Sequence, residues 1–441
     1  MSNQPHYLAE EEDYKILDEN VVYIENEYMK LGANIALGGA ITYIAEHGKK
    51  NLINSWDWGR QVQLSFYSGP VPFHPEGTEM GINWTHTGWN PIQTGDCFFN
   101  RSKIVEHKII DKTTLYVKCI PMQWALNNVP GECDFELWYT LDERTVNVTA
   151  RLNNHRADKT QHPACGQELP AVYTNGEFYR IVSYVGEDPK TGGALTEIVS
   201  KNTGDRHWPS EFMLYPEKWV ALLDDNDYGL GVYNPHTCGA VGGFAGGVER
   251  MGIGGAKDAQ TGTVSPTTSV ILDHNIVYTF NYSLIVGQVE EIRATALALD
   301  EKVDHRKFDF SEDRRNFYYV NTVDKGFGNQ DCLDFDFDND VWLRSPFIFI
   351  PRGKCKKIIL DAAFEGGEIE GVAGFRTYAE TTTPDRKGTP CSWESVPFKF
   401  VGDGERRFYE IDISAISKPT FQSNLIFKTK GHAKIYSWEF K

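Results

Sequence analysis

Aromatic rings and short polar side chains alternate in the segment between residues 51 and 99. Four of the eleven tryptophans of the chain lie between residues 56 and 89. The C–H faces of sugars stack on aromatic rings, and sugar hydroxyl groups pair with Asp, Asn, Gln and Arg side chains. This composition predicts a carbohydrate-binding cleft. The predicted binding residues in this segment are Trp56, Asp57, Arg60, Tyr67, Trp84, Trp89, Asn90 and Gln93.

The same stretch also fits an ordinary amphipathic strand. In WDWGRQVQLSF, strand alternation sends Asp57 and Gln61 to one face, and Trp58, Val62 and Leu64 to the other. In that interpretation the large rings belong to the core. Both interpretations stay open at this point.

Two glutamates stand in surroundings that suit acid–base chemistry. In GQELPAVY, apolar neighbours surround Glu168 and favour a raised pKa, as a general acid requires. In YPEKWVALL, Glu217 lies close to a tryptophan that precedes an apolar run. Glycoside hydrolysis needs two carboxyl groups across the scissile bond, and Glu168 with Glu217 is the predicted pair, with Asp57 in reserve. Four further residues are predicted to bind the substrate: His155, Gln167, Tyr173 and Trp219.

Three other functions remain open beside a glycoside hydrolase. A polysaccharide lyase needs a base and a group that neutralises a uronate carboxylate. The candidates are His86, Tyr67 and Tyr173 as bases, and Arg60 and Asn90 as neutralising groups. A mutarotase or epimerase would use His155 or His86 together with Glu168. A sugar-binding protein without catalysis would need the aromatic residues alone.

An acidic stripe, DCLDFDFDND, occupies residues 331–340. Its aspartates recur at every second position, so on a strand they share one face while Leu333, Phe335 and Phe337 share the other. The pattern predicts a half-buried strand with a solvated face. The alternative is a structural calcium ion near Asp334 and Asp336, because calcium prefers carboxylate oxygens. We expect no other cofactor and no metal in the candidate site.

The elements that must position these residues are short strands. Apolar alternation, β-branched residues and frequent turn residues predict an all-β protein, with one helix near residues 289–303. Residues 229–263 are rich in glycine, but they lack the P-loop pattern and a following helix. We predict a long loop between strands for this segment.

The length of 441 residues predicts two domains, because single cores stop growing at about 250–300 residues. Residues 304–325 are charged and irregular, and a boundary is predicted near residue 310. The predicted domains are residues 1–310 and residues 311–441, and the second is expected to be a jelly-roll β-sandwich of the kind that binds carbohydrate.

The formal net charge of −17 makes nucleic acids and anionic membranes improbable partners. No run approaches the roughly 20 apolar residues of a membrane span. The first residues, MSNQPHYLAEEEDYKIL, lack the apolar core of a signal peptide. The expected location is therefore cytoplasmic for the chain as it stands, and extracellular if a leader has been removed. The sequence does not assign an oligomeric state.

Two segments resemble the galactose mutarotase-like superfamily. Residues 31–67 contain the GGAI step, the turn and the aromatic strand that open such domains, and VNVTARLNNHRAD at 146–158 is similar to their Asn-His step. The resemblance covers residues 15–300. Residues 55–100 and 161–173 are also similar to bacterial proteins associated with polysaccharide breakdown.

The resemblance implies an antiparallel supersandwich with a sugar-binding concave face. The superfamily includes epimerases, domains of glycoside hydrolases and polysaccharide lyases, and modules without catalysis. The fold by itself therefore does not select one activity. A glycoside hydrolase that acts on an oligo- or polysaccharide is the preferred prediction, and the lyase is the first alternative.

Overall fold

The computed structural model describes residues 11–198, 211–272, 275–312, 316–326, 331–378 and 391–441. Strands dominate these residues and pair antiparallel, so the predicted all-β fold class is confirmed. In chain order the strands are β1 (Val21–Glu25), β2 (Met29–Asn34), β3 (Ala40–Glu46), β4 (Val62–Ser65), β5 (Pro91–Ile92), β6 (Lys103–Asp111), β7 (Thr114–Ile120), β8 (Met122–Gln123), β9 (Cys133–Asp142), β10 (Thr145–Asn154), β11 (Cys165–Asn175), β12 (Arg180–Ser183), β13 (Thr196–Ile198), β14 (Glu211–Leu214), β15 (Trp219–Leu223), β16 (Tyr228–Tyr233), β17 (Gly239–Ala245), β18 (Thr261–Val270), β19 (Val277–Gln288), β20 (Lys307–Asp309), β21 (Tyr318–Val320), β22 (Leu333–Phe337), β23 (Trp342–Arg344), β24 (Lys357–Tyr378), β25 (Cys391–Asp412), β26 (Thr420–Phe427) and β27 (Gly431–Phe440).

The described part of the chain contains two α-helices. Helix α2 (Val289–Asp300) lies within the predicted helical segment and begins with a capping box between Gln288 and Glu291. Helix α1 (Glu11–Glu19) was not predicted from the sequence. Two short 3₁₀ turns cover Ile82–Trp84 and Val248–Arg250. Neither α-helix is long and apolar enough to cross a membrane.

Two large sheets face each other across one core. The first sheet runs β1-β2-β3-β4-β11-β18-β17-β14, with β5 beside β4 and β8 beside β5. The second runs β13-β12-β15-β16-β19-β10-β9-β7-β6. Apolar side chains from both sheets meet between them, for example Val62 and Val172 from the first and Leu137 and Leu284 from the second. This two-sheet arrangement is the one that the resemblance implies.

Alternation along β4 decides which side chains can reach a ligand. Val62 and Leu64 are buried in the core between the two sheets. Gln63, Ser65 and the following Tyr67 therefore point to the opposite face, because neighbouring residues of a strand face opposite sides. We call this second side the outer face of the first sheet.

The glycine-rich segment forms strands where a single long loop was expected. Most of strand β16, all of strand β17 and the start of β18 lie within residues 229–263, and the connections are residues 234–238 and 246–260. Gly231 explains part of the composition, because a Cβ atom there would lie 2.2 Å from the side chain of Ile292. Glycine on β16 thus lets α2 pack closely on the second sheet.

The remaining strands form a third sheet, in the order β20-β27-β24-β26-β23-β21, with β22 beside β27 and β25 beside β24. The first half of β24 pairs with β27 and the second half with β26, and the register shifts near Gly366 and Gly367, both at positive φ. A jelly-roll topology is not confirmed, since all these strands belong to one hydrogen-bonded sheet.

The third sheet packs against residues of the first sheet and residues that flank its strands. Ala164 and Ile271 contact its core, and Leu214 and Cys238 pack with Phe421. Its first strand, β20, begins before the predicted boundary at residue 310. The division into residues 1–310 and 311–441 stays a prediction.

Candidate functional site

Glu168 lies on the outer face near the middle of the first sheet. In the strand register it stands opposite Ser65 of β4 on one side and Thr267 of β18 on the other. Residues opposite each other in antiparallel strands share a face. The carboxyl group therefore has a hydroxyl-bearing side chain on each neighbouring strand.

The Glu168 carboxyl group is set up to hold a proton at neutral pH. Burial raises its pKa to about 7, although the side chain keeps partial contact with solvent. No side chain among the described residues donates a hydrogen bond to it, so nothing offsets the cost of ionisation. A partly exposed carboxylic acid with this pKa is suited to donate a proton to a bound ligand.

Two tyrosines adjoin Glu168 on the outer face. The pKa of Tyr67 is raised by burial and then by the charge of Glu168. The pKa of Tyr173 is raised well above its usual value by burial, again with contributions from Glu168 and Tyr67. Both phenols therefore stay protonated. Both are poor bases. Tyr67 is partly exposed and can donate a hydrogen bond to a ligand, whereas Tyr173 is buried.

The loop before β4 forms a rim beside these groups. The Nε of Arg60 lies 3.4 Å from a carboxylate oxygen of Asp57, and the guanidinium group stacks over the ring of Trp56 at 4.5 Å. Arg60 also donates to the backbone oxygen of Ala259 at 2.6 Å. Asp57 and Trp56 remain partly exposed, whereas Arg60 is buried. The guanidinium group of Arg60 is therefore already paired with groups of the protein.

Two further tryptophans continue this rim. The rings of Trp84 and Trp124 meet edge to face at 5.5 Å. A Cβ atom on Gly59 would lie 2.7 Å from the ring of Trp124, so this glycine allows the ring to lie on the Asp57 loop. Both rings are partly exposed. Trp84, a predicted binding residue, and Trp124, which was not predicted, therefore each keep ring surface on which a sugar could stack, and the binding role of Trp84 stays a prediction.

Gln167 holds Tyr67 in place. Its side-chain oxygen accepts a hydrogen bond from the backbone N–H of Tyr67 at 2.7 Å, and its side-chain nitrogen donates to the backbone oxygen of the same residue at 2.5 Å. The Gln167 side chain is fully buried. In this structure Gln167 positions Tyr67, and it is not open to a sugar.

Asn90 and Gln93 have similar structural roles. Asn90 donates to the backbone oxygen of Phe66 at 2.6 Å, and Gln93 donates to the backbone oxygen of Gly38 at 3.0 Å. Both side chains are buried. Their amides fix the loop after β4 to the sheet, and direct contact with a ligand would require them to leave these partners.

Trp89 and Trp219 belong to the core, which corrects their assignment as stacking platforms. Both rings have no exposed surface. Trp89 packs in the core between the two large sheets. Trp219 packs against Ile292 and other residues beneath α2. A ring without exposed surface cannot stack on a sugar, so we leave both out of the candidate site.

Glu217 is also an internal structural residue in this structure. Its carboxylate accepts two hydrogen bonds from Arg293, at 3.0 and 2.9 Å, one from the indole of Trp219 at 3.0 Å, and one from the backbone N–H of Lys190 at 2.9 Å. Its side chain has no exposed surface. The structure therefore does not place Glu168 and Glu217 across a shared open site.

The two histidines of the prediction lie elsewhere. His155 follows β10 in the second sheet, where its ring pairs with Asp134 at 3.0 Å and remains mostly exposed. It belongs to the other sheet from Glu168. His86 is exposed in the loop between the 3₁₀ turn at Ile82–Trp84 and Trp89. Neither is seen next to Glu168.

Sequence reasoning missed the hydroxyl side chains that flank Glu168 and Tyr173. Thr263 stands opposite Tyr173 and hydrogen bonds with it, and Ser65 hydrogen bonds with Tyr67. The signal was present in TGTVSPTTSV, where Thr or Ser recurs at every second position of β18. It marks a strand with one polar face turned away from the core.

The acidic stripe forms β22 with the predicted alternation. Leu333, Phe335 and Phe337 enter the core of the third sheet, while Asp334 and Asp336 share the other face. The ring of His432 lies 3.3 Å from Asp334 and 3.0 Å from Asp336.

A lysine also adjoins each carboxylate, because Lys325 pairs with Asp336 and the Nζ of Lys434 lies 4.0 Å from Asp334. In the described ranges no group of three or more His, Cys, Asp or Glu residues could hold a metal ion. The calcium ion near Asp334 and Asp336 stays a prediction.

Comparison with known proteins returns structural similarity only. No family model matches the chain, and no curated protein matches its sequence. A putative aldose 1-epimerase from Escherichia coli K12 is 14% identical over 60% of this chain and 98% of its own, with a TM-score of 0.39. A galactose mutarotase related enzyme from Lactobacillus acidophilus is 11% identical over 60% of this chain and 97% of its own, also with a TM-score of 0.39.

A third similar structure is an alpha-N-acetylgalactosaminidase from Bifidobacterium bifidum. It is 10% identical over 65% of this chain and 40% of its own, with a TM-score of 0.34. The similar structures thus include the mutarotase-like group that the sequence resembles. The likeness concerns the fold, and the activity has to be argued from the residues.

Proposed function

We propose that the protein is a carbohydrate-active enzyme that hydrolyses a glycosidic bond, with Glu168 as the general acid. The observation that carries the proposal is the Glu168 carboxyl group on the outer face, with its pKa raised to about 7 by burial. The partly exposed side chains of Tyr67 and Trp56 near it suit a polyhydroxylated ligand.

In the proposed reaction, Glu168 donates its proton to the glycosidic oxygen as the bond to the anomeric carbon breaks. Water adds to that carbon and loses a proton, so two hydroxyl groups replace the bond. Asp57 is the second carboxylate of the proposal, because its charge adds to the raised pKa of Tyr173 and Glu217 is buried in ion pairs. Tyr67, which is partly exposed, would donate a hydrogen bond to a substrate hydroxyl group, whereas Tyr173 is buried beside it and lines the site from below.

The tyrosine environment argues against the lyase alternative. Of the three bases considered above for a lyase, Tyr67 and Tyr173 have raised pKa values that oppose deprotonation, and His86 is exposed in the loop that follows Trp84. The group suggested to neutralise a uronate, Arg60, is buried and paired with Asp57. Both observations favour hydrolysis.

The test is a screen of the purified protein on neutral and uronic-acid polysaccharides. New reducing ends and ultraviolet absorbance are read together, because only a lyase creates an absorbing unsaturated uronate. We expect reducing ends without absorbance. We also expect Glu168→Gln to lower the rate by about 10²–10⁴-fold, the usual contribution of a general acid. The matched control is Glu410→Gln, which changes an exposed strand glutamate paired with Lys357 and should retain full activity.

Other outcomes separate the remaining functions. Absorbance that persists in Glu168→Gln would identify a lyase. Exchange between the anomers of a free sugar, without any cleavage, would identify a mutarotase or epimerase. Retention on polysaccharide gels without any product would identify a binding protein. Each of these results contradicts the proposed hydrolase.

A further inference from the structure

Strand β6 forms an exposed edge of the second sheet. It pairs with β7 on one side, and no described strand pairs with its other side. Nearly all of its residues are exposed, including the apolar side chains of Val105, Ile109 and Ile110, each about half exposed. An edge strand with free backbone groups and apolar side chains is a template for another strand.

The sequence of β6, KIVEHKIID, is complementary to itself when read antiparallel. With His107 of one copy opposite His107 of the other, Glu106 stands opposite Lys108, and Val105 stands opposite Ile109. The end residues, Lys103 and Asp111, also pair with opposite charge in this register. Opposite charges and apolar pairs directly across an antiparallel ladder are stabilising.

A shift of this register removes the complementarity. Moving one strand by a single residue places His107 opposite Lys108 and Glu106 opposite Ile109. The charge pattern therefore selects one register, and the register has a two-fold axis at His107. Such an isologous contact is the commonest way in which two identical chains associate.

The backbone is regular where this pairing would be centred. Strand β6 has two register shifts relative to β7, one between Ile104 and Glu106 and one between Ile109 and Asp111. Between them, Glu106 to Ile109 pair with β7 without interruption. The irregular positions lie towards the ends of the strand, and the central ladder keeps its geometry.

We infer that two copies of the chain dimerise through antiparallel pairing of their β6 strands about an axis at His107. The contact joins the second sheets of the two copies into one continuous sheet. It pairs Glu106 with Lys108 twice, once on each side of the axis. This inference is independent of the proposed reaction, because it uses no residue of the Glu168 site.

A charge-swap experiment tests the inference. We expect the full-length protein to show a reversible monomer–dimer equilibrium in sedimentation velocity. Glu106→Lys or Lys108→Glu alone places like charges opposite each other twice per dimer, and each should raise the dissociation constant about tenfold. The double variant Glu106→Lys with Lys108→Glu restores opposite charges and should return the constant to near the wild-type value.

The double variant also separates pairing between copies from effects within one chain. Residue 106 stands opposite Lys118 of its own β7, and this neighbour is unchanged in the single and double variants. Recovery of the dimer in the double variant, when all three variants melt at the same temperature, therefore comes from the contact with the second copy. Thermal melting of all three variants serves as the check of folding.

Cross-linking tests the register directly. In the proposed dimer the two copies of residue 107 have Cα atoms about 4.5–5.5 Å apart, which a disulfide can span. Mild oxidation should therefore link His107→Cys into a covalent dimer. The wild-type chain, oxidised in the same way, measures the cross-linking that its own free cysteines cause. Adding Glu106→Lys to His107→Cys should reduce the yield of covalent dimer.

Three results would overturn the inference. The first is a monomer at all accessible concentrations. The second is a dimer whose dissociation constant is unchanged by either single substitution. The third is a pair of weakened single variants that the double variant does not rescue, which would place the second copy, or a different partner, in another register.

Discussion

Glu168 and Glu217 are the same residue type in opposite situations. Glu168 stands on the outer face of the first sheet, keeps partial exposure and receives no hydrogen bond from the described side chains. Glu217 has no exposed surface and receives four hydrogen bonds, two of them from Arg293. The Glu168 carboxyl group remains available to a ligand, whereas the Glu217 carboxylate is fully hydrogen-bonded inside the protein.

The different surroundings of Glu168 and Glu217 suit them to different roles, one in reactivity and the other in stability. A buried carboxylate with a bidentate arginine partner holds together the elements that carry the pair. A carboxyl group that is buried without partners prefers its proton, and its ionisation costs free energy. Catalytic potential and structural importance therefore fall on different glutamates. Three measurements can break or sharpen this comparison.

The largest expected effect is on stability after removal of Glu217. Glu217→Ala leaves Arg293 charged and buried without its partner, so we expect a loss of about 3–5 kcal/mol in the free energy of unfolding. Urea denaturation at pH 7 measures it. Glu410→Ala, in an exposed ion pair with Lys357, is the matched control and should change stability by less than about 1 kcal/mol. Equal losses of unfolding free energy in Glu217→Ala and Glu410→Ala would contradict the structural role assigned to Glu217.

The second effect is a pH dependence of stability that comes from Glu168. Its folded pKa of about 7 lies above the value near 4.3 of an unfolded chain, so the folded state holds the proton more tightly. The stabilising contribution is complete below about pH 4.3 and is lost as the pH rises to about 7. Over this window the wild type should lose up to about 3 kcal/mol relative to Glu168→Gln.

Paired urea denaturation of the wild type and Glu168→Gln at several pH values measures this difference. The comparison of the two proteins cancels the contributions of all other titrating groups. A stability difference that stays constant between pH 4 and pH 8 would show that Glu168 titrates as an exposed glutamate. The assignment of Glu168 as the proton donor would then lose its physical basis.

The smallest effect concerns Gln167, next to Glu168 in the chain. Gln167→Ala removes two hydrogen bonds to the backbone of Tyr67, and we expect a loss of about 1–2 kcal/mol in stability. Because Tyr67 adjoins Glu168, kcat should fall more than KM rises once a substrate is known. An unchanged kcat with only a raised KM would instead indicate that Gln167 contacts the sugar.

The local sequence was sufficient to predict the all-β fold class and the strand face on which many side chains lie. The alternation in WDWGRQVQLSF put Val62 and Leu64 on one face, and both lie in the core; the stripe around Phe335 behaved in the same way. These features depend on the period of two along a strand, which neighbouring residues carry by themselves. The helix at Val289–Asp300 was predicted on similar local grounds.

The tertiary structure decided which of the candidate groups are available. The partner that fixes Glu217 lies 76 residues away in the sequence, and the residue that Gln167 holds lies 100 residues away. Likewise, the composition around Trp89 could not reveal that the ring is buried. Exposure, hydrogen bonding and the pKa of a carboxyl group depend on neighbours that only folding brings together, and a local pattern does not contain them. The sequence thus determined the strands and the candidate site residues, and the packing of the sheets left Glu168 available among the candidate glutamates.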